Sequence, residues 1–199
     1  MSRAMSDALT DPIALFLAVR GRCEATEPWG ATAGVLATAD ARGRPSARFV
    51  LVKEVEADGF YFYTNERSRK ARELAANPWA ALCFYWPSAR VQFRIEGPVE
   101  RVSAARSDAY FASRPRLSQL GAWASEQSHP IDSREELERR VRALEAQYAG
   151  VPIPRPPHWG GYRLVPATIE HWIEGNHRLH DRFLYEREGA GWKRTRLCP

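Results

Sequence analysis

The chain of 199 residues reads as a mainly β protein of the α+β kind, an antiparallel barrel with helices at its periphery. Three observations predict this. Short apolar or alternating segments recur along the chain, separated by hairpin signals such as Ala57-Asp58-Gly59 and Gly189-Ala190-Gly191. Helical segments are few, and they do not alternate regularly with strands as a parallel doubly wound sheet would require. No G-x-G-x-x-G and no G-x-x-x-x-G-K-[ST] occurs, so neither a dinucleotide site nor a P-loop is expected.

In chain order, Asp11-Pro12 supplies an N-cap and a first-turn proline, which predicts a helix from Pro12 to Cys23. Gly34 to Ala39 reads as a strand, Asp40 to Gly43 as its turn, and Ser46 to Glu54 as the next strand. A third strand covers Phe60 to Thr64. Ser68 to Ala76 is expected to be helical and to stop at Asn77-Pro78. Trp79 to Trp86 is apolar and aromatic, as a buried strand would be. Arg90 to Glu96 alternates strictly, with Val91, Phe93 and Ile95 on one face and Gln92 pointing away from the core. Ser103 to Ala112 and Ser133 to Tyr148 read as helices, the second opened by a capping box of Ser133 and Glu136. Pro152 to Pro157 is a connection. Tyr162 to Val165, Thr168 to Ile173, Phe183 to Arg187 and Trp192 to Leu197 complete the strands. Residues 11–199 make one domain, preceded by a flexible arm of residues 1–10.

The formal net charge of +5 fits anionic partners, either nucleic acid or small molecules. The basic residues are dispersed rather than clustered in a tract. Lysine occurs only at Lys53, Lys70 and Lys193, so a lysine inside a motif stands out as a compact point charge. Three scattered cysteines, Cys23, Cys83 and Cys198, form no C-x-x-C pair and suggest a reducing cytoplasm. The apolar run Ile13 to Val19 is too short for a membrane span and lacks a cleavage site.

Four clusters could carry chemistry. Arg48-Phe49-Val50-Leu51-Val52-Lys53 lies on a strand, where Arg48 and Lys53 differ in parity and so face opposite sides. Tyr63-Thr64-Asn65-Glu66-Arg67-Ser68-Arg69-Lys70 turns from strand to helix. Its cations oppose the helix dipole unless an anion sits between them. Ser113 to Ser128 gathers Arg114, several hydroxyls including Ser118 and Ser128, and the amides of Gln119 and Gln127. That is an inventory for holding a phosphate, and Tyr110 joins Arg114 on one face if the helix continues. The fourth cluster holds His171, His177 and His180. Arg178 and Arg182 beside them argue against a divalent metal, and no metal site is expected. Arg178 and His180 share a face if that segment is a strand. Tryptophans among the cations could also describe a single-strand nucleic-acid surface. Trp86 and Trp172 sit in apolar strands, however, and read as core.

These motifs, in this order, resemble the pyridoxamine 5′-phosphate oxidase family of flavin mononucleotide (FMN) enzymes. Arg48 to Lys53 is similar to the family's R-x-V-L-L-K strand. Phe62-Tyr63-Thr64-Asn65, Ser68-Arg69-Lys70, Ser113 to Ser128, Trp159 to Arg163, Ile169-Glu170 with Trp172, Arg178 to Arg182 and the Arg196-Leu197-Cys198-Pro199 ending follow it. The resemblance implies a split β-barrel, a cytoplasmic homodimer with FMN at its interface, and no nucleic-acid or membrane partner. It places Arg48, Phe49, Val50, Leu51, Val52 and Lys53, then Tyr63, Thr64, Arg69 and Lys70, at FMN-contacting positions. Gln92, Gln127, Ser128, Trp172 and Arg182 join them. Lys53, Tyr110, Arg114 and Ser118 fall around the substrate phosphate, and Arg178 and His180 over the substrate ring as catalytic residues. The implied reaction takes pyridoxamine or pyridoxine 5′-phosphate and dioxygen to pyridoxal 5′-phosphate and hydrogen peroxide, with water consumed and ammonia leaving when the amine is oxidised. The alternatives are a related branch, the phenazine-biosynthesis flavin oxidases, or a non-catalytic flavin- or nucleic-acid-binding split-barrel protein. Departures exist: Val91 stands where the family often has arginine, and His171-Trp172-Ile173-Glu174 replaces Phe-Trp-Gln-Gly.

Overall fold

The computed structural model describes residues 11–27 and 30–199, and the expected N-terminal arm lies outside the described residues. Helix α1 spans Pro12–Cys23. Asp11 occupies its N-cap and accepts a hydrogen bond from the Ile13 amide at 2.9 Å, while Pro12 needs no partner for an absent N–H. Strands β1 (Ala33–Ala39), β2 (Pro45–Leu51), β3 (Glu54–Glu56) and β4 (Gly59–Asn65) follow. Next come α2 (Arg69–Ala76), β5 (Trp79–Trp86) and β6 (Val91–Arg101). Helices α3 (Ala104–Ser113), α4 (Arg116–Ala124) and α5 (Arg134–Gln147) precede β7 (Trp159–Leu164) and β8 (Thr168–Ile173). A 3₁₀ turn at Asn176–Arg178 leads to β9 (Asp181–Glu188) and β10 (Gly191–Leu197).

All strand pairs among the described residues are antiparallel. One path runs β10-β9-β8-β6-β5-β1-β2, and β7, β4 and β3 branch from β6. Strand β6 therefore serves two halves of a curled sheet. Its residues Val91 to Glu96 pair with β8, and Val99 to Arg101 pair with β7. The change of partner falls at Gly97-Pro98. A side chain at Gly97 would overlap the Val165 carbonyl, so the close backbone approach there requires glycine.

Helix α1 plugs the inside of this sheet. Phe16 is fully buried, with Phe60 at 5.1 Å, Phe84 at 4.9 Å, and Trp86 and Phe93 each at 5.2 Å between ring centroids. Inward residues of β5 and β6 alternate with outward ones, so Leu82, Phe84, Phe93 and Ile95 face this core.

Four expectations need correction. The strand expected over Ser46 to Glu54 ends at Leu51, because its partner β1 begins at Ala33, opposite Leu51. The buried Val52 and exposed Lys53 form a break, and β3 then pairs with β4. The helix reaching Ser113 does not continue to Arg114, which Pro115 holds extended (φ −73°, ψ 148°). Pro115 thereby separates α3 from α4, which starts at Arg116 inside the Ser113 to Ser128 stretch. Arg178 and His180 do not share a strand: His177 and Arg178 have φ of 54° and 63° and belong to the 3₁₀ turn. Finally, Trp172 is not core, since Ile169 and His171 take the inward face and leave Trp172 half-buried on the other.

Candidate active site

Strands β2 and β4 are close in space but are not neighbours in the ladder. A cavity of about 780 Å³ opens at this seam. Strand β2 contributes Arg48, Phe49, Val50 and Leu51, and β4 contributes Tyr63, Thr64 and Asn65. Arg69 and Lys70 come from α2, Tyr110 and Arg114 from α3 and its C-cap, and Ser118 from α4. Gln127, Ser128 and Trp159 complete the named walls. The lining carries four cations, Arg48, Arg69, Lys70 and Arg114, and no carboxylate.

The strand-to-helix corner forms because Asn65 turns the chain. Its Oδ1 accepts the Arg67 amide at 2.8 Å and its carbonyl accepts the Ser68 amide at 3.0 Å. This delivers Lys70 into the first turn of α2, 8% exposed. Its Nζ donates to Gln127 Oε1 at 2.8 Å and Thr64 Oγ1 at 3.0 Å. Neither neighbour is anionic. Burial first, and the Arg48 charge second, pull Lys70 down to about 8. On the other side of the corner Ser128, at φ 72°, accepts the Arg69 amide on its Oγ at 3.1 Å.

Glu73 was not anticipated, although it sits one helical turn after Arg69. Its buried carboxylate accepts from Thr38 at 2.5 Å, Ser46 at 2.6 Å, Arg69 Nε at 2.7 Å and Arg48 Nη2 at 3.2 Å. Burial opposes its ionisation, but these donors together hold it down at about 2. One buried carboxylate thus orients two arginines whose remaining donors can serve an anion in the cavity.

The second anion-seeking group sits on α3 and α4. Arg114 lies over the Trp159 ring, 4.9 Å from its centroid. Its Nη1 is buried with no partner among the described residues. Burial lowers its pKa from the ordinary guanidinium value. Gln119, expected among the phosphate-holding groups, does not line the cavity and instead clamps α4 to the end of α3 by donating to the Phe111 and Ala112 carbonyls at 2.9 and 3.2 Å. Tyr110 stacks on Tyr63 at 3.8 Å between centroids, 6° from parallel.

The remaining expected residues lie elsewhere in the chain. Val52 is buried beneath the strand break and Lys53 is exposed beyond it, and neither lines the cavity. Gln92, Trp172 and Arg182 stand directly opposite one another across β6, β8 and β9. Glu170 orients Arg182, accepting its Nε at 2.8 Å and Arg94 at 2.5 Å. The His180 ring lies 4.5 Å from Trp172, and its Nδ1 accepts the Gly175 amide at 3.2 Å. Arg178 is exposed beside it. Cross-strand register puts Gln92, Trp172 and Arg182 on the same outward sheet face as Phe49 and Tyr85, which are 75% and 51% exposed.

Comparison with known proteins follows the same division. Residues 24–148 match the pyridoxamine 5′-phosphate oxidase model, and residues 159–199 match the pyridoxine 5′-phosphate oxidase C-terminal dimerisation region. A pyridoxine/pyridoxamine 5′-phosphate oxidase of Anaeromyxobacter dehalogenans is 56% identical over 192 residues, covering 96% of this chain and 97% of the relative. One from Paraburkholderia phymatum is 61% identical over 165 residues, 82% of this chain and 77% of the relative. Among solved structures, PhzG of Burkholderia lata, bound to tetrahydrophenazine-1-carboxylic acid, superposes with a TM-score of 0.90 at 35% identity, covering 100% of this chain and 98% of that one. An FMN-binding protein of Nostoc punctiforme shares the fold with a TM-score of 0.75 at 23% identity, covering 92% and 95% of the two chains.

Proposed function

The chain belongs to the pyridoxamine 5′-phosphate oxidase family, and from that premise we propose that it is an FMN-dependent oxidase converting pyridoxamine or pyridoxine 5′-phosphate to pyridoxal 5′-phosphate. The observation that carries the reading is the cavity lining, with its four cations, no carboxylate, and two cations, the buried Lys70 and the half-buried Arg114 with its buried Nη1, that have no acidic partner among the described residues. A buried charge without a counter-charge is costly, and a phosphate supplies one. FMN and the substrate each bring a phosphate, which accounts for two separately built cationic groups.

The residues at the α2 corner fit FMN. Lys70 and Arg69 would take its phosphate, with Arg48 held ready by Glu73 and with Thr64, Gln127 and Ser128 completing the polar contacts. Arg114, Tyr110 and Ser118 would hold the substrate phosphate. FMN held there would supply the redox chemistry, a two-electron acceptor for the substrate that dioxygen reoxidises. The protein's own contribution is to orient the substrate carbon and to exclude water. No nucleophilic side chain is required.

Within one chain Gln92, Trp172, Arg178, His180 and Arg182 do not reach the cavity. The family's dimerisation region covers most of them. We assign the outward sheet face bearing Phe49 and Tyr85 to a homodimer contact that places this second group against the partner's cavity, with FMN between subunits. There Arg178 would stack on the substrate ring and His180 would orient or deprotonate the reacting substituent. The test is a visible spectrum of the purified protein. A flavin spectrum bleached anaerobically by pyridoxamine 5′-phosphate supports the proposal. A flavin reduced only by a phenazine precursor, or a colourless protein that does not take up FMN, refutes it.

A further inference from the structure

Arg106, Tyr110 and Arg114 recur at intervals of four and form one stripe along α3 and its C-cap. Tyr110 and Arg114 line the cavity and Arg106 does not. Arg106 instead reaches β3, where its guanidinium bonds both Glu54 and Glu56. It lies 3.7 Å above the Tyr61 ring centroid. Glu54 also accepts the Tyr63 hydroxyl at 3.2 and 3.3 Å. The Tyr63 ring in turn lies parallel to Tyr110 at 3.8 Å and to Trp159 at 5.5 Å. It can lie flat there because Gly161 has no side chain, and a Cβ would come within 2.6 Å of it. Trp159 carries Arg114.

These contacts close a circuit from Arg106 through Glu54, Tyr63 and Tyr110 back to the same helix. A helix held at one point can roll about its axis, whereas two contacts on one stripe fix its rotation. Here they fix the direction in which Tyr110 and Arg114 project. We infer that Glu54 and Arg106 are positioning residues for the substrate's phosphate, setting the rotation of α3 and the tilt of the Tyr63–Tyr110 stack without touching the substrate. The inference rests on the reading that Arg114 receives that phosphate. Both side chains are about one-third exposed, at 31% and 29%, so their pairing adds little to overall stability and variants there should fold.

The test uses the FMN-loaded enzyme. Glu54→Ala and Glu54→Gln are made in the native background and in an Arg114→Ala background. Steady-state kinetics are measured with pyridoxamine 5′-phosphate and with unphosphorylated pyridoxamine, and FMN affinity by flavin fluorescence. Misplacement on this scale predicts about a tenfold rise in KM for the phosphorylated substrate with Glu54→Ala. The same principle leaves kcat and FMN affinity within about twofold, because neither residue touches Arg48, Arg69 or Lys70, the cations assigned to the flavin. Glu54→Gln should recover much of the loss, since its amide oxygen still accepts the Tyr63 hydroxyl. In the Arg114→Ala background Glu54→Ala should add nothing. An unchanged KM overturns the inference. So does equal weakening of FMN and of both substrates, or a tenfold effect that persists without Arg114. If the unaltered enzyme shows no preference for the phosphorylated substrate, the Arg114 assignment itself fails and the inference with it, a result visible before any variant is made.

Discussion

Replacing His171 with phenylalanine should stabilise the protein and flatten its acid sensitivity. The imidazole is fully buried, stacked on Phe93 at 4.7 Å between centroids and 18° from parallel, with Phe183 at 6.5 Å on its other side. Neither ring nitrogen has a partner among the described residues. Burial first, then the charges of Arg194 and Arg22, pull His171 down from 6.5 to about 4. The unfolded chain therefore takes up a proton below its ordinary value while the folded chain does not until about pH 4. Across that interval the unfolded state binds more protons, so stability falls as pH falls. Between about pH 7.5 and about pH 5 the loss from this group is about 2 kcal/mol, and it tends to about 3 kcal/mol at lower pH. Phenylalanine also removes two unsatisfied polar atoms from the stack, a gain of about 1–3 kcal/mol at neutral pH. Urea unfolding of both proteins at the two pH values, at one fixed protomer concentration, measures both quantities. If His171→Phe is less stable at neutral pH, or keeps the same pH slope, the buried neutral imidazole is not the acid-sensitive element.

Lys70→Ala should weaken FMN binding by about 10- to 150-fold, the worth of a charge-assisted hydrogen bond, and excess FMN should restore activity. Because Lys70 stands at about 8 without ligand and a phosphate requires it protonated, FMN affinity measured by fluorescence should fall as pH rises through about 8, and Lys70→Ala should lose that dependence. Arg114→Ala should leave the protein yellow but raise KM for pyridoxamine 5′-phosphate by about 10- to 150-fold, erasing most of its preference over unphosphorylated pyridoxamine. Loss of flavin with the phosphate preference intact would exchange the two assignments. Phe16→Ala, which removes a ring held among four aromatic side chains, should cost about 3–5 kcal/mol in urea unfolding.

The extent to which the site could be read from sequence follows from how local each signal is. The strand-to-helix corner at Asn65 to Lys70 was legible because turn chemistry, helix start and cations are contiguous, and the structure brings Asn65, Arg69 and Lys70 to one cavity wall while Arg67 stays off it. Outward projection of Gln92 followed from strict alternation. Glu73 escaped notice, and Gln119 was given to a phosphate, because their meaning is tertiary. A glutamate in a helix looks solvated, and a glutamine among serines looks free to bind a ligand, until folding brings Arg48 from β2 or the α3 carbonyls to them. Helix α4 was missed because the polar Ser113 to Ser128 composition masks its one apolar repeat, Leu120 and Ala124. The break at Val52 depends on where β1 starts, which the β2 sequence does not encode. The residues of the second group were expected from motif alone, and no pattern within the chain relates them to the cavity.

The seam between β2 and β4 has a consequence for how long the protein survives in a cell. No ladder joins the two strands, so a molecule gripping Arg48 on one wall and Lys70 on the other serves as the missing stave of the barrel. Ligand at a hundred times its Kd adds about 2.7 kcal/mol of folding free energy to whichever state it binds. The empty chain is therefore the form that opens more often and meets proteases first. Under riboflavin shortage the steady-state abundance of the polypeptide, and not only the fraction that is active, should decline.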